Sequence, residues 1–77
     1  MSNTEPNREF TFGEKLVGLS FNPSSDPRVD ELKELAARMA DIVNEVVPSN
    51  DIQAMVKQSA IQEILNAQMN AVKVLFL

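Results

Sequence analysis

Apolar side chains recur every three or four positions between residues 27 and 46. Val29, Leu32, Leu35, Ala36, Met39, Ile42, Val43 and Val46 fall on one face of a helix. Asp26 followed by Pro27 marks its start, since the carboxylate accepts orphan backbone N–H groups and proline suits the first helical position. Asp30, Glu31 and Glu34 then favour the positive end of the helix dipole, and Pro48 ends the run. A second helix begins at Ser49 or Asn50 as cap, with Asp51 in its first turn. Its apolar positions, Ile52, Met55, Val56, Ile61, Ile64, Leu65, Met69, Val72, Leu75 and Phe76, form a broader surface than one neighbouring helix would cover. The short link Val47–Asn50 predicts that the two helices lie antiparallel as a hairpin.

The chain ahead of the hairpin reads differently. Residues 10–21 alternate apolar and polar at Val17, Leu19 and Phe21, and Gly13 and Gly18 interrupt them. That pattern predicts an extended arm lying on the hairpin. Residues 1–9 are polar, contain Pro6 and are predicted to be a disordered tail, leaving residues 10–77 as one helical-hairpin domain. The fold class expected is therefore all-α: an antiparallel two-helix hairpin with an extended N-terminal arm. Its apolar surplus, ending on Val74-Leu75-Phe76-Leu77, predicts assembly as a homo-oligomer.

Composition narrows the function. With 77 residues and no cysteine, the chain can build only a small core and has neither disulfides nor thiolate metal sites. Histidine is absent too, removing the commonest general base and metal ligand. Asp30 and Glu34 stand four apart, but only Glu63 is available opposite them, so a solvated face is the plainer reading than a magnesium site. No phosphate-binding glycine loop or nucleophilic triad exists, which points away from an enzyme and from a cofactor. A net charge of −4 argues against duplex nucleic acid, whose binding needs a basic field. No apolar run nears the roughly 20 residues that span a bilayer, and the polar start lacks a signal sequence, so an intracellular protein without membrane partners is expected.

Three features carry candidate chemistry, each with a plain alternative. Phe21, beside Asn22 and Pro23, is either a staple packing the arm on the hairpin or a platform on which a nucleobase stacks, with Asn22 bonding its edge. Lys33 is either a surface lysine paired with Asp30 or Glu34, worth about 0.3 kcal/mol per pair, or a phosphate contact near the helix start. Gln62, Asn66, Asn70 and Lys73 form a polar stripe, suited to an exposed face, an inter-subunit ladder or base edges.

The run GEKLVGLSFNPSSDPRVDELKELAARMADIVNEV, together with the ending IQEILNAQMNAVKVLFL, resembles the phage-encoded anti-CBASS cyclic-nucleotide sponges, whose hairpin domain is shared with anti-Thoeris sponges. The resemblance covers roughly residues 13–77 and rests on an aromatic-x-Pro motif, a basic residue near the second turn of the first helix, and the AQM-x-AVK ending. It implies a homo-oligomer, commonly a hexamer, in the host cytoplasm. Such a protein sequesters cyclic dinucleotides, and in some members trinucleotides, without cleaving them and so blocks CBASS-type defence. By position it implies that Phe21 stacks on the ligand, that Asn22 and Pro23 shape the site, and that Lys33 meets a phosphate; Asn66 and Asn70 are added as candidate ligand contacts from the amide stripe. The chain departs from the family in three places: Phe21 lacks the hydroxyl of the usual tyrosine, Asn70 stands where relatives often have tryptophan, and the apolar tail lacks an arginine that some relatives carry. The alternative is a helical module that self-associates for assembly or regulation and binds no ligand.

Overall fold

The structure, a computed structural model, describes residues 9–77. Apart from Glu9, the tail expected over residues 1–9 lies outside the described residues. Three helices follow in order: α1 (Phe12–Val17), α2 (Pro27–Asn44) and α3 (Asp51–Val74).

Helix α1 replaces the expected extended arm, and its local chemistry explains why. Thr11 caps it, accepting the Glu14 N–H at 3.1 Å while the Glu14 carboxylate accepts the Thr11 N–H at 2.9 Å. This reciprocal box satisfies two orphan donors at once. Gly18, in the left-handed region at φ 64°, closes the other end. Its N–H donates to the Lys15 carbonyl and the Leu19 N–H to the Glu14 carbonyl, the paired bonds of a Schellman stop. Glycine is thus the terminator of this helix rather than an interruption of a strand. Gly13 has another role. A Cβ there would stand 2.0 Å from the Ala37 carbonyl oxygen, so its bare backbone lets α1 lie directly on α2. Asp41 of α2 then accepts the Gly13 N–H at 2.7 Å, capping α1 from across the interface.

Helices α2 and α3 start as their caps predict. The Asp26 carboxylate accepts the Arg28 N–H at 2.9 Å, with Pro27 following it, and the Asn50 side chain accepts the Gln53 N–H at 2.8 Å. Helix α2 stops at Asn44, two residues short of the expected 46, where the Lys57 ammonium reaches over from α3. That ammonium donates to the Asn44 and Val46 carbonyls at 2.9 and 2.7 Å, satisfying acceptors at the helix end. The two long helices run antiparallel: Val29 and Lys33 face Val72 and Phe76 at one end, and Val43 and Val46 face Gln53 and Lys57 at the other.

The buried face of α2 is not the expected aliphatic stripe. Val29, Lys33, Ala37 and Ala40 are buried, whereas Leu35, Met39 and Ile42 are 54, 56 and 70% exposed. Small residues bring the helices close, and the long aliphatics stay at the exposed rims of grooves that α2 shares with α3, Leu35 and Met39 beside Ile64 and Ala71 and Ile42 beside Val56. The chain makes a single helical layer 13 Å thick in its shortest dimension. Among the described residues, no helix is long and apolar enough to cross a membrane.

Candidate functional site

The loop from Gly18 to Asp26 joins α1 to α2 and forms one wall of a cleft of about 200 Å³. Phe21, Asn22, Pro23 and Ser24 line it from the loop, Val29 and Lys33 from α2, and Val72 and Phe76 from the end of α3. The antiparallel hairpin creates this meeting, because it lays the last turns of α3 beside the first turns of α2. Helical periodicity marks Val72 and Phe76 only as apolar positions of α3, not as site residues. The signal was present in the short interhelix link, which sets both the direction and the register of α3.

Asn22 organises the loop. Its side-chain N–H₂ donates to the Asp26 carbonyl at 3.0 Å and to the Asp30 carboxylate at 3.1 Å. Its side-chain oxygen accepts the Ser24 hydroxyl at 2.7 Å and the Ser25 N–H at 3.1 Å. An amide has two donor hydrogens and two acceptor lone pairs, so these bonds within the chain engage it fully. They hold Ser25 at φ 60°, in the left-handed region that a side chain other than glycine rarely occupies. Ser24 in turn accepts the Asp26 N–H at 3.1 Å.

Asp26 is both a cap and an ion-pair partner. Arg28 meets its carboxylate through two side-chain nitrogens, at 3.2 and 2.8 Å. Those bonds, followed by the Arg28 backbone N–H, hold the Asp26 carboxyl below its ordinary range.

Lys33 corrects one expectation. It is neither a surface lysine nor paired with Asp30 or Glu34; it is only 6% exposed, with its ammonium turned back towards the loop. The Nζ atom donates to the Gly18 carbonyl at 3.0 Å and to the Phe21 carbonyl, and it stands 5.5 Å from the centre of the Phe21 ring. Phe21 as a residue is 69% exposed, which does not fit a buried staple. An exposed aromatic face with a cation on its inner side is the most distinctive feature of the cleft.

Phe21, Asn22, Pro23 and Lys33 therefore come together, while Asn66 and Asn70 do not join them. Both asparagines are exposed and lie on the side of α3 turned away from Ile64 and Gln68, its buried positions. Gln62 reaches Asn66 at a long 3.4 Å, as on a solvated face. Helical spacing alone aligned the amides with one another; it did not align them with the cleft.

Compared with models of known protein families, with curated proteins and with solved structures, the chain matches none.

Proposed function

We propose that the protein binds cyclic dinucleotides and sequesters them intact, acting as a phage immune-evasion sponge in the host cytoplasm. The observation that carries this reading is the exposed Phe21 ring at the mouth of an apolar cleft. A π-face presented to solvent stacks on a nucleobase without regard to its sequence identity. Walls from Val29, Val72 and Phe76 give the base an apolar seat. At about 200 Å³ the cleft is smaller than the roughly 300–1,000 Å³ usual for small-molecule sites. One chain thus offers part of a site, and a homo-oligomer, a hexamer by the family resemblance, would supply the rest. A sequence with no histidine or cysteine lacks the usual groups for activating water, in keeping with sequestration rather than cleavage.

Isothermal titration with a panel of cyclic dinucleotides and trinucleotides tests the reading. Saturable binding is expected, with the input recovered intact after heat denaturation. Replacing Phe21 with alanine should weaken binding about tenfold, as losing a base stack costs about 1–3 kcal/mol. No heat from any ligand, or recovery of linear nucleotides, would overturn it. A second reading, self-association without a ligand, is favoured by the exposed Leu35, Met39 and Ile42 on α2. It predicts assembly with a silent titration.

A further inference from the structure

We infer that Lys33 is a positioning residue, which fixes the Phe21 ring in its presented orientation instead of meeting a ligand phosphate itself. This inference rests on the sponge reading for its functional meaning. Its structural content stands separately.

Phe21 has little to hold it. With the residue 69% exposed, its side chain lacks the packing that normally locks a rotamer. Its backbone is held instead. The Phe21 N–H donates to the Gly18 carbonyl at 2.9 Å, closing a tight turn. Lys33 binds the same Gly18 oxygen at 3.0 Å and also the Phe21 oxygen, so one ammonium ties both ends of that turn to α2. The same charge lies 5.5 Å from the ring centre, where a cation favours the π-face over other orientations of the side chain. Lys33 starts from the second turn of α2, a rigid element, and its buried stem has little rotameric freedom. The turn begins at Gly18, whose left-handed conformation redirects the chain as it leaves α1. Helix α2 therefore determines where an otherwise loose aromatic stands. Preorganising a binding group in this way strengthens binding by reducing the freedom lost when the ligand arrives.

A direct phosphate contact makes a different demand. The ammonium would have to leave its carbonyl partners or accept an anion at a nearly closed position, and its effect would not depend on Phe21. A double-mutant cycle separates the two roles. Affinity for cyclic di-AMP and cyclic GMP–AMP would be measured in wild type, Lys33→Met, Phe21→Ala and the double variant. Lys33→Met keeps the apolar stem and removes the charge and the donors. If Lys33 acts through the ring, each single change weakens binding about tenfold. The double variant is then no weaker than Phe21→Ala by more than about twofold. Additive losses of about a hundredfold, with a flatter salt dependence wherever Lys33 is removed, would overturn the inference.

A ligand-free measurement keeps the inference testable if neither nucleotide binds or if Lys33→Met does not fold. In the wild-type protein, ring-current shielding should move the Lys33 ε-methylene proton resonances upfield. Phe21→Leu should return them to ordinary lysine values. Lysine-like shifts in the wild type would refute the positioning role, whatever the ligand results. A shielded methylene with no nucleotide binding would sink the sponge reading and leave the Lys33–Phe21 geometry standing.

Discussion

Two side chains in the loop before α2 convert sequence into shape through hydrogen bonds. Asn22 gathers donors and acceptors from Ser24, Ser25, Asp26 and Asp30, and it supports the strained Ser25 backbone. Asn22→Ala should cost about 1–2 kcal/mol of stability, because partners that bond one amide must find water instead. Hydrogen exchange should show the Ser25 amide, left with only its 3.2 Å bond to the residue 22 carbonyl, losing part of its protection while the centres of α2 and α3 stay protected; unchanged exchange at Ser25 would contradict this. Asp26 provides a pH-dependent counterpart. Its carboxyl is held below the unfolded value, first by the Arg28 side chain. Folding therefore gains from this group above the unfolded carboxylate range near pH 3.9, and that gain is lost as pH falls through the folded value. Asp26→Asn keeps a helix cap but removes the charge. The variant should melt below wild type at neutral pH, and the gap should narrow on acidification below about pH 4. A gap that is constant down to strong acid would show that the ion pair contributes nothing.

Among the elements, α1 is the most dependent on its neighbours. Six residues are far too few for a stable isolated helix, since nucleation costs more than one turn returns. It survives because Asp41 caps it from α2 and Gly13 lets the two backbones approach. Gly13→Ala sets two effects against each other. Alanine raises helix propensity by about 1 kcal/mol, but its methyl would overlap the Ala37 carbonyl. Separating the helices should cost about 1–3 kcal/mol and break the Asp41 bond as well. The clash should win, lowering the melting temperature by several degrees as followed by circular dichroism; a higher melting temperature would mean that α1 can shift at no cost. Propensity and caps were legible for α2 and α3, whose starts lie at Asp26-Pro27 and Asn50. The α1 signals, Thr11 with Glu14 and Gly18 after Val17, were also local, but the Val17-Leu19-Phe21 alternation outweighed them in a sequence reading.

At the scale of the molecule, the balance of buried and exposed apolar groups is unusual. Val17, Val29, Ala37, Ala40 and Ile64 form the buried apolar core, and no large side chain among the described residues is fully buried. Leu35, Met39, Ile42, Met55, Val56 and Met69 meanwhile lie exposed on the long helices. A single helical layer has no second layer to cover them, and water contact on such a surface favours association. If copies of this chain cover those faces, binding of folded protein to itself must raise apparent stability by mass action. The melting temperature should then climb over about two decades of protein concentration, with sedimentation showing the assembly. A monomer whose melting is independent of concentration would exclude the homo-oligomer.

The sequence by itself determined the two long helices, their caps and their antiparallel pairing, because capping, periodicity and a short link act over a few residues. Its aromatic loop also marked Phe21, Asn22 and Pro23 as neighbours of the α2 start. Only the tertiary structure decided which face of α2 is inside. That choice followed from close approach of small residues, with Ala37 against Gly13, rather than from the greater hydrophobicity of Leu35, Met39 and Ile42. It also decided the place of Lys33, since its carbonyl partners at Gly18 and Phe21 lie 15 and 12 residues upstream. No helical periodicity encodes such a pairing. It arises when α1 docks and turns the loop back over α2, leaving the ammonium enclosed by backbone oxygens and the aromatic ring facing out.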